Sequence, residues 1–562
     1  MKIVIIGGTA GGAGIAARLR RLDEQAEIII VEKNPYISWS GCALPYFTGG
    51  IICERNNLFL ANKEMFDHRF NIKVLDSTKA VGLDRAAKQV SVIAVNQPHA
   101  KVTTISYDKL VIATGAGAIM PGFAQNKDGV YAMRCIEDAD QIKAYVAAHD
   151  VKHAVVVGGG FIGLEACENL KHRGIDVTLV EKAPQVLAPV DPDIAQYLHR
   201  ELDQHGVSLK LGVGIADIAK TESGLTVSLD NGEAVETQLV IMALGIVPQT
   251  DFIKDSGLKL NSRGYIEVAD TMQTNDPDIY ALGDVVAVQG VPEDRLGTIA
   301  LAGPASKQSR IAAHNLLGIG LGPQGQLHFK GSLGVSIVRV MGLTAGAVGM
   351  NRRALAGQPD VAEVTVHTPH HVSWFEEAKP VHLKLIFNQK TGLVLGAQAV
   401  GEVSIDKNLE VISALMQMHA TVYDLVDFES AYAPPFSAPR SPVNMAGSTA
   451  ANVVDGLEEM ITVEQFDELR KSDPDLVCID VRAPDELELC KLPGFINIPV
   501  DALRAQHKKQ PFDPNKTYVV SCQVGVRGHT AACMLRHFGV KKVYNLSGGY
   551  VSWCTAHYQL KH

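Results

Sequence analysis

The sequence has few aromatic residues, no closely spaced cysteine pair and no surplus of basic residues. Aromatic residues make up 6% of the 562 residues, and the formal net charge is -9. This acidic balance argues against a basic surface for nucleic acid. No uncharged apolar run reaches the roughly 18 residues of a membrane-spanning helix. The first residues pass from a short apolar run into glycines, unlike a secretory signal. We therefore expect a cytoplasmic protein without nucleic-acid or membrane partners.

Nine cysteines are spread along the chain, and no two are closer than eleven positions. This spacing excludes the Cys-x-x-Cys pattern of a zinc site or a thioredoxin-type dithiol, and we predict no bound metal. An odd number of dispersed cysteines is typical of a reducing compartment, in which most thiols are buried side chains.

Two segments of the chain follow the same order of strand, glycine turn, helix and strand. The first comprises Lys2–Ile6, Gly7–Gly12, Ile15–Leu22 and Glu27–Val31; the second comprises His153–Val157, Gly158–Gly163, Leu164–Arg173 and Asp176–Val180. Such a pattern predicts two parallel βαβ units, and each of them is suited to bind a dinucleotide.

The second glycine turn is a complete G-x-G-x-x-G fingerprint. It consists of Gly158, Gly159, Gly160, Phe161, Ile162 and Gly163. Its glycines permit the tight turn, the approach of a pyrophosphate and the packing of helix on strand. Glu181 ends the following strand, where a carboxylate accepts hydrogen bonds from the adenosine ribose and repels a 2′-phosphate. The pattern therefore predicts NADH rather than NADPH. In the flavoprotein fold family that this unit resembles, the residue at the Phe161 position covers the flavin ring; an aromatic that packs the helix is the alternative.

The first glycine turn is imperfect but keeps its acidic partner. Its cofactor-binding residues are Gly7, Gly8, Ala10, Gly11 and Gly12, with Thr9 at the second glycine position. The next strand ends at Glu32 and Lys33, which restores the pattern and assigns both residues to the same cofactor site.

Three further segments resemble motifs of flavoprotein reductases with two dinucleotide sites. They are Tyr107–Ala116, with Thr114 and Gly115; Ala243–Thr250, with Gly245; and Ile279–Val285, with Gly283 and Asp284. In that family the Gly-Asp carboxylate holds the ribityl chain of FAD, and the Gly245 segment marks the return to the FAD domain. The resemblance implies FAD in the first half of the chain.

A single cysteine, Cys42, follows soon after the first βαβ unit, in the segment Ser38–Tyr46. We expect it to open a helix whose dipole favours a thiolate beside the flavin. Disulfide reductases of the glutathione-reductase type have Cys-x4-Cys, but position 47 is Phe. Cys42 must therefore bond to something external, as a mixed disulfide, a persulfide or a sulfenic acid.

With these motifs the chain resembles coenzyme A-disulfide reductases fused to a rhodanese domain, a group that includes NADH-dependent persulfide and polysulfide reductases. The resemblance also rests on Leu301–Pro304 (with Ala302 at the cofactor), Tyr432–Phe436 and Pro442–Gly447. It implies a homodimer in which Cys42 is the redox thiol and Tyr432 reaches over it from the partner subunit. It also implies that coenzyme A, as substrate or bound cofactor, lies near Arg18, Arg21, Ser38 and Gly41. A solvated helix face is the alternative for the two arginines.

Three departures from that family pattern leave the sulfur substrate open. Gly41 stands where the family has Asn, Trp374-Phe375 replaces Tyr-Tyr, and Glu376-Glu377 replaces Pro-Gly. The candidates are coenzyme A disulfide, small persulfides, polysulfide and elemental sulfur.

The last hundred residues contain a second candidate thiol, Cys522. Cys522 and Arg527 bracket four residues between a strand and a helix. The amides of so tight a loop, together with Arg527, stabilise a thiolate or persulfide. A tyrosine-phosphatase loop brackets five residues, so the shorter loop favours sulfur over phosphate. Asp480–Arg482, Gly494–Pro499 and Asn545–Tyr550 also match the rhodanese pattern.

The predicted fold is α/β, with two Rossmann-like domains for FAD and NAD, an α+β dimerisation domain and a rhodanese-like domain. The expected boundaries are 1–113 with 246–322 for FAD, 114–245 for NAD, 323–447 for dimerisation, 448–458 for a linker and 459–562 for the rhodanese-like domain. The predicted function is NADH-dependent reduction of S–S bonds in a small-molecule sulfur substrate. Two alternatives remain: an NADH oxidase or peroxidase that uses a Cys42 sulfenic acid, and a redox-sensing flavoprotein that acts by binding partners.

Overall fold

The computed structural model describes residues 1–97, 99–289, 296–297, 300–320 and 325–561. Contacts between residues divide the chain into two units. The first is Met1–Val180 with Gly214–Ser332, and the second is Glu181–Val213 with Leu333–His562. Among the described residues, no helix is both long enough and apolar enough to cross a bilayer.

Helices and strands are interspersed along the whole chain. Residues 1–181 contain β1 (Lys2–Ile6), α1 (Ala10–Leu22), β2 (Glu27–Val31), α2 (Leu44–Thr48), α3 (Lys63–Phe70), β3 (Lys73–Leu75), β4 (Thr78–Asp84), β5 (Gln89–Ala94), β6 (Thr103–Ser106), β7 (Lys109–Ile112), β8 (Ala116–Ala118), β9 (Val130–Ala132), α4 (Ile136–Ala148), β10 (His153–Val157), α5 (Phe161–His172) and β11 (Asp176–Glu181). Residues 182–332 contain α6 (Pro192–Gln204), β12 (Val207–Leu211), β13 (Ile215–Lys220), β14 (Leu225–Leu229), β15 (Ala234–Thr237), β16 (Leu239–Met242), β17 (Ile246–Pro248), β18 (Ile266–Glu267), β19 (Ile279–Ala281), β20 (Val286–Gln289), β21 (Leu296–Gly297) and α7 (Ala302–Leu317).

Residues 333–561 contain β22 (Ser336–Val340), β23 (Leu343–Gly349), β24 (Val361–Pro369), β25 (Pro380–Asn388), β26 (Val394–Gly401), α8 (Ile405–Met416), α9 (Val422–Asp427), α10 (Pro442–Val454), β27 (Glu459–Ile461), α11 (Val463–Ser472), β28 (Val477–Asp480), α12 (Pro484–Leu489), β29 (Ile496–Asn497), α13 (Leu503–Lys509), β30 (Thr517–Ser521), α14 (Val526–His537), β31 (Lys542–Leu546) and α15 (Gly549–Ala556). Short 3-10 turns lie at Gly41–Ala43, Arg55–Leu58, Gly122–Ala124, Asp251–Ile253 and Val500–Ala502.

Two parallel sheets carry the glycine turns of the first unit. One has the strand order β19-β7-β1-β2-β3, and the other contains β11-β10-β16-β9. Their central strands are β-branched runs buried on both faces, as parallel sheets require. Ile6 lies beside Ile112, which lies beside Ala281, so the ends of β1, β7 and β19 meet at one sheet edge. The segments that follow these strands are therefore brought together.

The second unit contains an antiparallel sheet and a parallel sheet. The antiparallel sheet has the order β22-β23-β26-β25-β24, and its apolar face shares one core with α8 and α10 through Leu385, Ile412 and Ala446. The parallel sheet has the order β27-β31-β30-β28-β29. Parallel pairing of short strands through helical crossovers is the α/β arrangement expected for the end of the chain. The predicted fold class is confirmed.

Several boundaries differ from the expected ones. Helices α1 and α5 begin at Ala10 and Phe161, whereas the sequence suggested Ile15 and Leu164. The glycine turns pass directly into helix because the dinucleotide fold needs the first helical amides at the turn. Residues 448–454, expected in a linker, form the end of α10. Ala446 and Ala450 are fully buried on one face of α10, which explains why the helix continues past Gly447. Four residues separate the end of α10 from the start of β27.

Candidate functional site

The first glycine turn places backbone against backbone. Gly7 has a φ of +102°, and a Cβ there would overlap the carbonyl oxygen of Ala113. A Cβ at Gly12 would overlap the carbonyl oxygen of Gly7, and one at Gly11 would strike the Leu282 side chain. Gly7 and Gly12 meet backbone and must be glycine, so α1 packs directly on the ends of β1 and β7.

The start of α1 can receive a phosphate. Thr9 is its N-cap but makes no side-chain capping bond, and the first turn, which begins at the exposed Ala10, has no acidic residue. Thr9 therefore provides no side-chain acceptor for the first backbone N–H groups of the helix. These groups form the positive end of the helix dipole. Such a terminus suits the pyrophosphate of FAD.

Glu32 is a buried carboxylate that organises the turn. One oxygen accepts a hydrogen bond from the Gly8 amide at 2.7 Å, and the other accepts one from the Asn34 amide at 2.9 Å. Burial raises the pKa of Glu32 despite these bonds. The residue predicted to bind a ribose also holds the turn in shape.

Asp284 follows β19 and forms an ion pair with Arg134. Arg134 Nη2 lies 2.7 Å from Asp284 Oδ2, and Arg134 Nε donates to the carbonyl of Ala116. The neighbouring Gly283 has a φ of +80°, and its amide donates to Gln308 Oε1 at 2.8 Å. The aspartate predicted to hold a ribityl chain is thus fixed by an arginine that sequence reasoning missed.

Gln249 connects two other predicted cofactor residues. Lys33 Nζ donates to Gln249 Oε1 at 2.6 Å, and Thr114 Oγ1 donates to the Gln249 carbonyl at 2.8 Å. Gly115 has a φ of +66° and open space around its Cβ position. Ala302, the first residue of α7, is exposed. These residues leave room for the dinucleotide that the glycine turn favours, so the first unit fits FAD.

The second glycine turn has the same construction. Gly158 has a φ of +109° and lies against the carbonyl of Ala243, and a Cβ at Gly163 would overlap the Gly158 carbonyl. A Cβ at Gly160 would meet open space, which is the room that a pyrophosphate needs. Gly160 is the N-cap of α5 and supplies no side-chain cap. Phe161 begins α5.

Three other residues predicted for the nicotinamide site keep suitable positions. Ile162 is half-buried in the first turn of α5, and Gly245 has a φ of +107°. Glu181 is the last residue of β11, and its Oε1 accepts a hydrogen bond from the Ala183 amide at 2.7 Å. The Glu181 carboxylate is thereby held at the end of its strand. Within the first unit, the open space at Gly160 leaves room for a nicotinamide dinucleotide.

Cys42 is exposed and lies in the 3-10 turn Gly41–Ala43. We expected Cys42 to open a helix, but the helix that follows, α2, has only five residues and begins at Leu44. Pro45 near its start and Gly49 at its end limit its length. The dipole of so short a helix gives a Cys42 thiolate little stabilisation. The structural feature that supports a reactive role for Cys42 is therefore its exposure to solvent.

A half-buried carboxylate from α5 contacts the helix that follows Cys42. Tyr46 Oη donates to Glu165 Oε1 at 3.4 Å. Burial raises the pKa of Glu165 to about 7, against the lowering effect of the Tyr46 hydrogen bond. Sequence reasoning missed Glu165 because nothing in the spacing within α5 marks it.

Three arginines form a positive surface on α1 and α7. The Nε and Nη2 atoms of Arg18 donate to His314 Nε2 at 3.1 and 2.7 Å. Desolvation and the neighbouring Arg310 and Arg21 lower the pKa of Arg18. In the described part of the chain, none of the three arginines has a carboxylate within ion-pair distance. This clustering favours an anion site over a merely solvated helix face.

The remaining predicted substrate residues and Tyr432 are accessible or strained. Ser38 has a φ of +52°, and its amide donates to the Gly8 carbonyl at 2.8 Å. Gly41 is exposed, and a Cβ there would lie 3.4 Å from the Trp39 ring. Tyr432 belongs to the second unit and is 48% exposed. The Tyr432 side chain is therefore accessible to another molecule.

The Cys522 loop lies at the carboxyl end of β30. The Gly525 amide donates to Cys522 Sγ at 3.1 Å, and Gly525 has a φ of +98° at the start of α14. The Tyr550 amide donates to the Cys522 carbonyl at 2.8 Å, and a Cβ at Gly549 would overlap that carbonyl. The loop therefore holds the sulfur against the Gly525 N–H, whereas the sequence analysis expected several loop amides around it.

The Arg527 guanidinium faces the Cys522 sulfur and also forms an ion pair with a carboxylate. Its Nη1 and Nη2 atoms lie 2.5 and 2.7 Å from the two oxygens of Glu486. Hydrogen bonding to Glu486, and then the charge of Cys522, raises the pKa of Arg527. Beneath the loop, Arg482 is fully buried and its Nη2 lies 2.7 Å from Asp480 Oδ2. Neither ion pair was predicted from the sequence.

Comparisons with known proteins agree with this geometry. Residues 1–309 match the family model described as pyridine nucleotide-disulphide oxidoreductase, residues 335–441 its dimerisation domain, and residues 462–556 the rhodanese-like domain. The chain is 33% identical to the coenzyme A disulfide reductase of Staphylococcus haemolyticus, covering 80% of this chain and 100% of that relative.

Two solved structures are similar over nearly the whole chain. Reduced CoADR-RHD of Bacillus anthracis is 38% identical with a TM-score of 0.93, covering 99% of this chain and 98% of that one. An NAD-dependent persulfide reductase from A. fulgidus is 31% identical with a TM-score of 0.90, covering 98% of this chain and 100% of that one. The chain therefore belongs to the pyridine nucleotide-disulphide oxidoreductases, as a member that carries the dimerisation domain and a C-terminal rhodanese-like domain.

Proposed function

We propose that this oxidoreductase uses NADH to reduce the S–S bond of a small persulfide or coenzyme A disulfide at Cys42. One observation carries the proposal: an exposed cysteine follows the FAD-type βαβ unit, and position 47 holds Phe instead of a second cysteine. The sulfur of Cys42 can then pair only with an external sulfur. The Staphylococcus haemolyticus and A. fulgidus relatives support both substrate classes.

The chemistry at Cys42 has two balanced steps. The Cys42 thiolate attacks the outer sulfur of a persulfide R–S–SH, which forms a Cys42 persulfide and releases RSH after protonation. Two electrons and a proton then cleave the Cys42 S–S bond, releasing hydrosulfide and restoring the thiolate. With a coenzyme A disulfide, the same attack forms a mixed disulfide and releases one coenzyme A thiol.

Bound FAD and NADH supply the electron pair for this reduction. The first glycine turn and the Glu32 carboxylate would hold the FAD phosphates and ribose. Asp284 would hold the ribityl hydroxyls, and the Gly158–Gly163 turn and Glu181 would bind NADH. The half-buried Phe161 would lie beside the flavin ring.

The arginine cluster of α1 and α7 gives the coenzyme A proposal its physical basis. Arg18, Arg21 and Arg310 present positive charge to phosphates, and His314 fixes the guanidinium of Arg18. A coenzyme A thiol or persulfide anchored in this way would carry its sulfur on a flexible pantetheine arm. Ser38 and Gly41, near Cys42 in the sequence, would then contact that arm.

Two parts of the second unit complete the proposed enzyme. The match to a dimerisation domain supports a homodimer, in which the exposed Tyr432 reaches the Cys42 site of the partner. The rhodanese-like domain carries sulfane sulfur on Cys522, stabilised by the Gly525 amide and by Arg527. Sulfur from Cys522 is then passed to a small thiol that feeds Cys42.

Anaerobic consumption of NADH against a panel of sulfur compounds tests this function. The panel comprises coenzyme A disulfide, coenzyme A persulfide, glutathione persulfide, polysulfide and elemental sulfur, with oxygen and peroxide as controls. We expect rapid turnover with at least one persulfide or disulfide. Faster turnover with oxygen or peroxide would instead favour the oxidase or peroxidase alternative. Slow turnover with every acceptor would favour a sensor.

A further inference from the structure

Among the described residues, three cationic side chains at the Cys522 loop, Arg527, Arg482 and His529, each pair with a carboxylate. Arg527 binds both oxygens of Glu486 through two short bonds. The buried Arg482 lies on Asp480, and His529 Nδ1 lies 2.9 Å from Glu458 Oε2. The Arg527 hydrogen bond is the main cause that lowers the pKa of Glu486 to about 2, so Glu486 is an anion at any ordinary pH. The loop therefore offers an incoming anion little net positive charge.

This balance affects sulfur donors unequally. Thiosulfate carries two negative charges, which are shared between the sulfur that Cys522 must attack and the sulfonate oxygens two bonds away. A small persulfide reacts in its protonated form R–S–SH, in which the S–S bond carries no charge and the leaving group is the thiolate RS⁻. Glu486 lies on the Arg527 guanidinium, the cation that faces Cys522, so its repulsion acts mainly on the thiosulfate dianion.

We propose that Glu486 is a specificity determinant that makes the rhodanese-like domain take sulfur from small persulfides in preference to thiosulfate. The proposal rests on the proposed role of Cys522 as the sulfur carrier. With a persulfide, the Cys522 thiolate attacks the outer sulfur, forms Cys522–S–S⁻ and releases RSH. With thiosulfate, the same attack releases sulfite, and the whole reaction must proceed beside the Glu486 carboxylate.

The substitution Glu486→Gln tests this role with little change of shape. Glu486 Oε2 also accepts a hydrogen bond from the Ala483 amide at 2.9 Å, and a Gln oxygen can keep that bond. Glu464 lies on α11 of the same domain and forms an ion pair with Arg352. Glu464→Gln is the matched control, because it also removes one carboxylate from an ion pair with an arginine. Both variants of the full-length protein change the net charge equally.

The readout is the rate at which sulfur from thiosulfate or glutathione persulfide appears as thiocyanate with cyanide as acceptor. We expect Glu486→Gln to raise kcat/KM for thiosulfate about five- to fiftyfold, with less than a threefold change for the persulfide. The thiosulfate gain should shrink at high salt, where charges are screened. Glu464→Gln should leave the ratio of the two donors unchanged.

Three results would overturn the proposal. They are an unchanged donor ratio in Glu486→Gln, an equal loss with both donors while the far-UV circular dichroism is native, and the same shift in Glu464→Gln. Failure of the underlying function has a different signature. In that case, Cys522→Ser, made as a single substitution in the otherwise wild-type protein, would still transfer sulfur from glutathione persulfide to cyanide.

Discussion

The guanidinium of Arg134 lies 2.7 Å from the carboxylate of Asp284, although 150 positions separate the two residues. Asp284 follows β19, and Arg134 follows β9. Arg134 also donates to the carbonyl of Ala116, so it cannot swing freely. The ion pair thus fixes the carboxylate that we propose for the ribityl chain of FAD.

Replacing Asp284 with Ala should weaken FAD binding about tenfold to a hundredfold, because a charge-assisted hydrogen bond acceptor is lost and Arg134 remains unpaired. The flavin absorbance per chain and the FAD Kd of the apoprotein measure the effect. Asp278→Ala is the matched control, since Asp278 precedes β19 and pairs with Lys88 and Lys109. Equal loss of FAD in both variants would contradict the role of Asp284.

The sequence could predict the parts of the site that depend on local order. A strand, a glycine turn and a helix follow one another within about 20 residues, so Gly7, Gly158 and Cys522 could be placed without coordinates. Arg134 and Glu486 could not, because each reaches its site from a distant segment and carries no motif of its own. The length of α2 after Cys42 was also missed, since only Gly49 marks its end.

Glu181 should set the choice between NADH and NADPH. Replacing Glu181 with Ser removes the charge that repels a 2′-phosphate, and we expect the NADPH/NADH ratio of kcat/KM for flavin reduction to rise at least about tenfold. Asp176→Asn, at the other end of β11, removes an exposed carboxylate and should leave the ratio unchanged. No change in the Glu181→Ser ratio would remove Glu181 from the cofactor site.

Lys384 should be essential for the stability of the second unit. Its fully buried ammonium group lies 3.1 Å from Asp191, 3.0 Å from Asp193 and 3.1 Å from Glu363. Lys384→Met would remove the cation that the three carboxylates share, so the free energy of unfolding should fall by about 3–5 kcal/mol in urea denaturation. Lys390→Met, at an exposed ion pair with Asp360, should have little effect. A small effect of Lys384→Met would mean that the carboxylates find other partners.

Acid should destabilise the second unit through buried neutral histidines. Burial lowers the pKa of His199 and of His382 to about 4, and it lowers the pKa of His367 well below its usual value. The unfolded chain binds these protons near pH 6.5 and the folded one does not, so stability is present above pH 6.5 and is lost as the pH falls toward 4.

The substitution His199→Gln tests this acid dependence. Val186 N–H donates to His199 Nε2, an acceptor that Gln can replace. Between pH 7 and 4.5, the free energy of unfolding should fall less in His199→Gln than in wild type, by about 2–3 kcal/mol over the whole range, as measured by urea denaturation at each pH. His205→Gln, at an exposed histidine, should keep the wild-type slope. A slope in His199→Gln that matches the wild type would show that His199 binds its proton in the folded state.

The most direct test of the account is the effect of Cys42→Ser on anaerobic NADH oxidation with the best persulfide or disulfide substrate. Cys53→Ser is the matched control, since Cys53 is the other exposed thiol in this part of the chain. We predict that Cys42→Ser retains FAD and loses at least about a thousandfold in kcat/KM, because the residue that forms the S–S intermediate is gone. Cys53→Ser should remain within about twofold of wild type. Substantial sulfur reduction by Cys42→Ser with FAD bound would contradict the central claim.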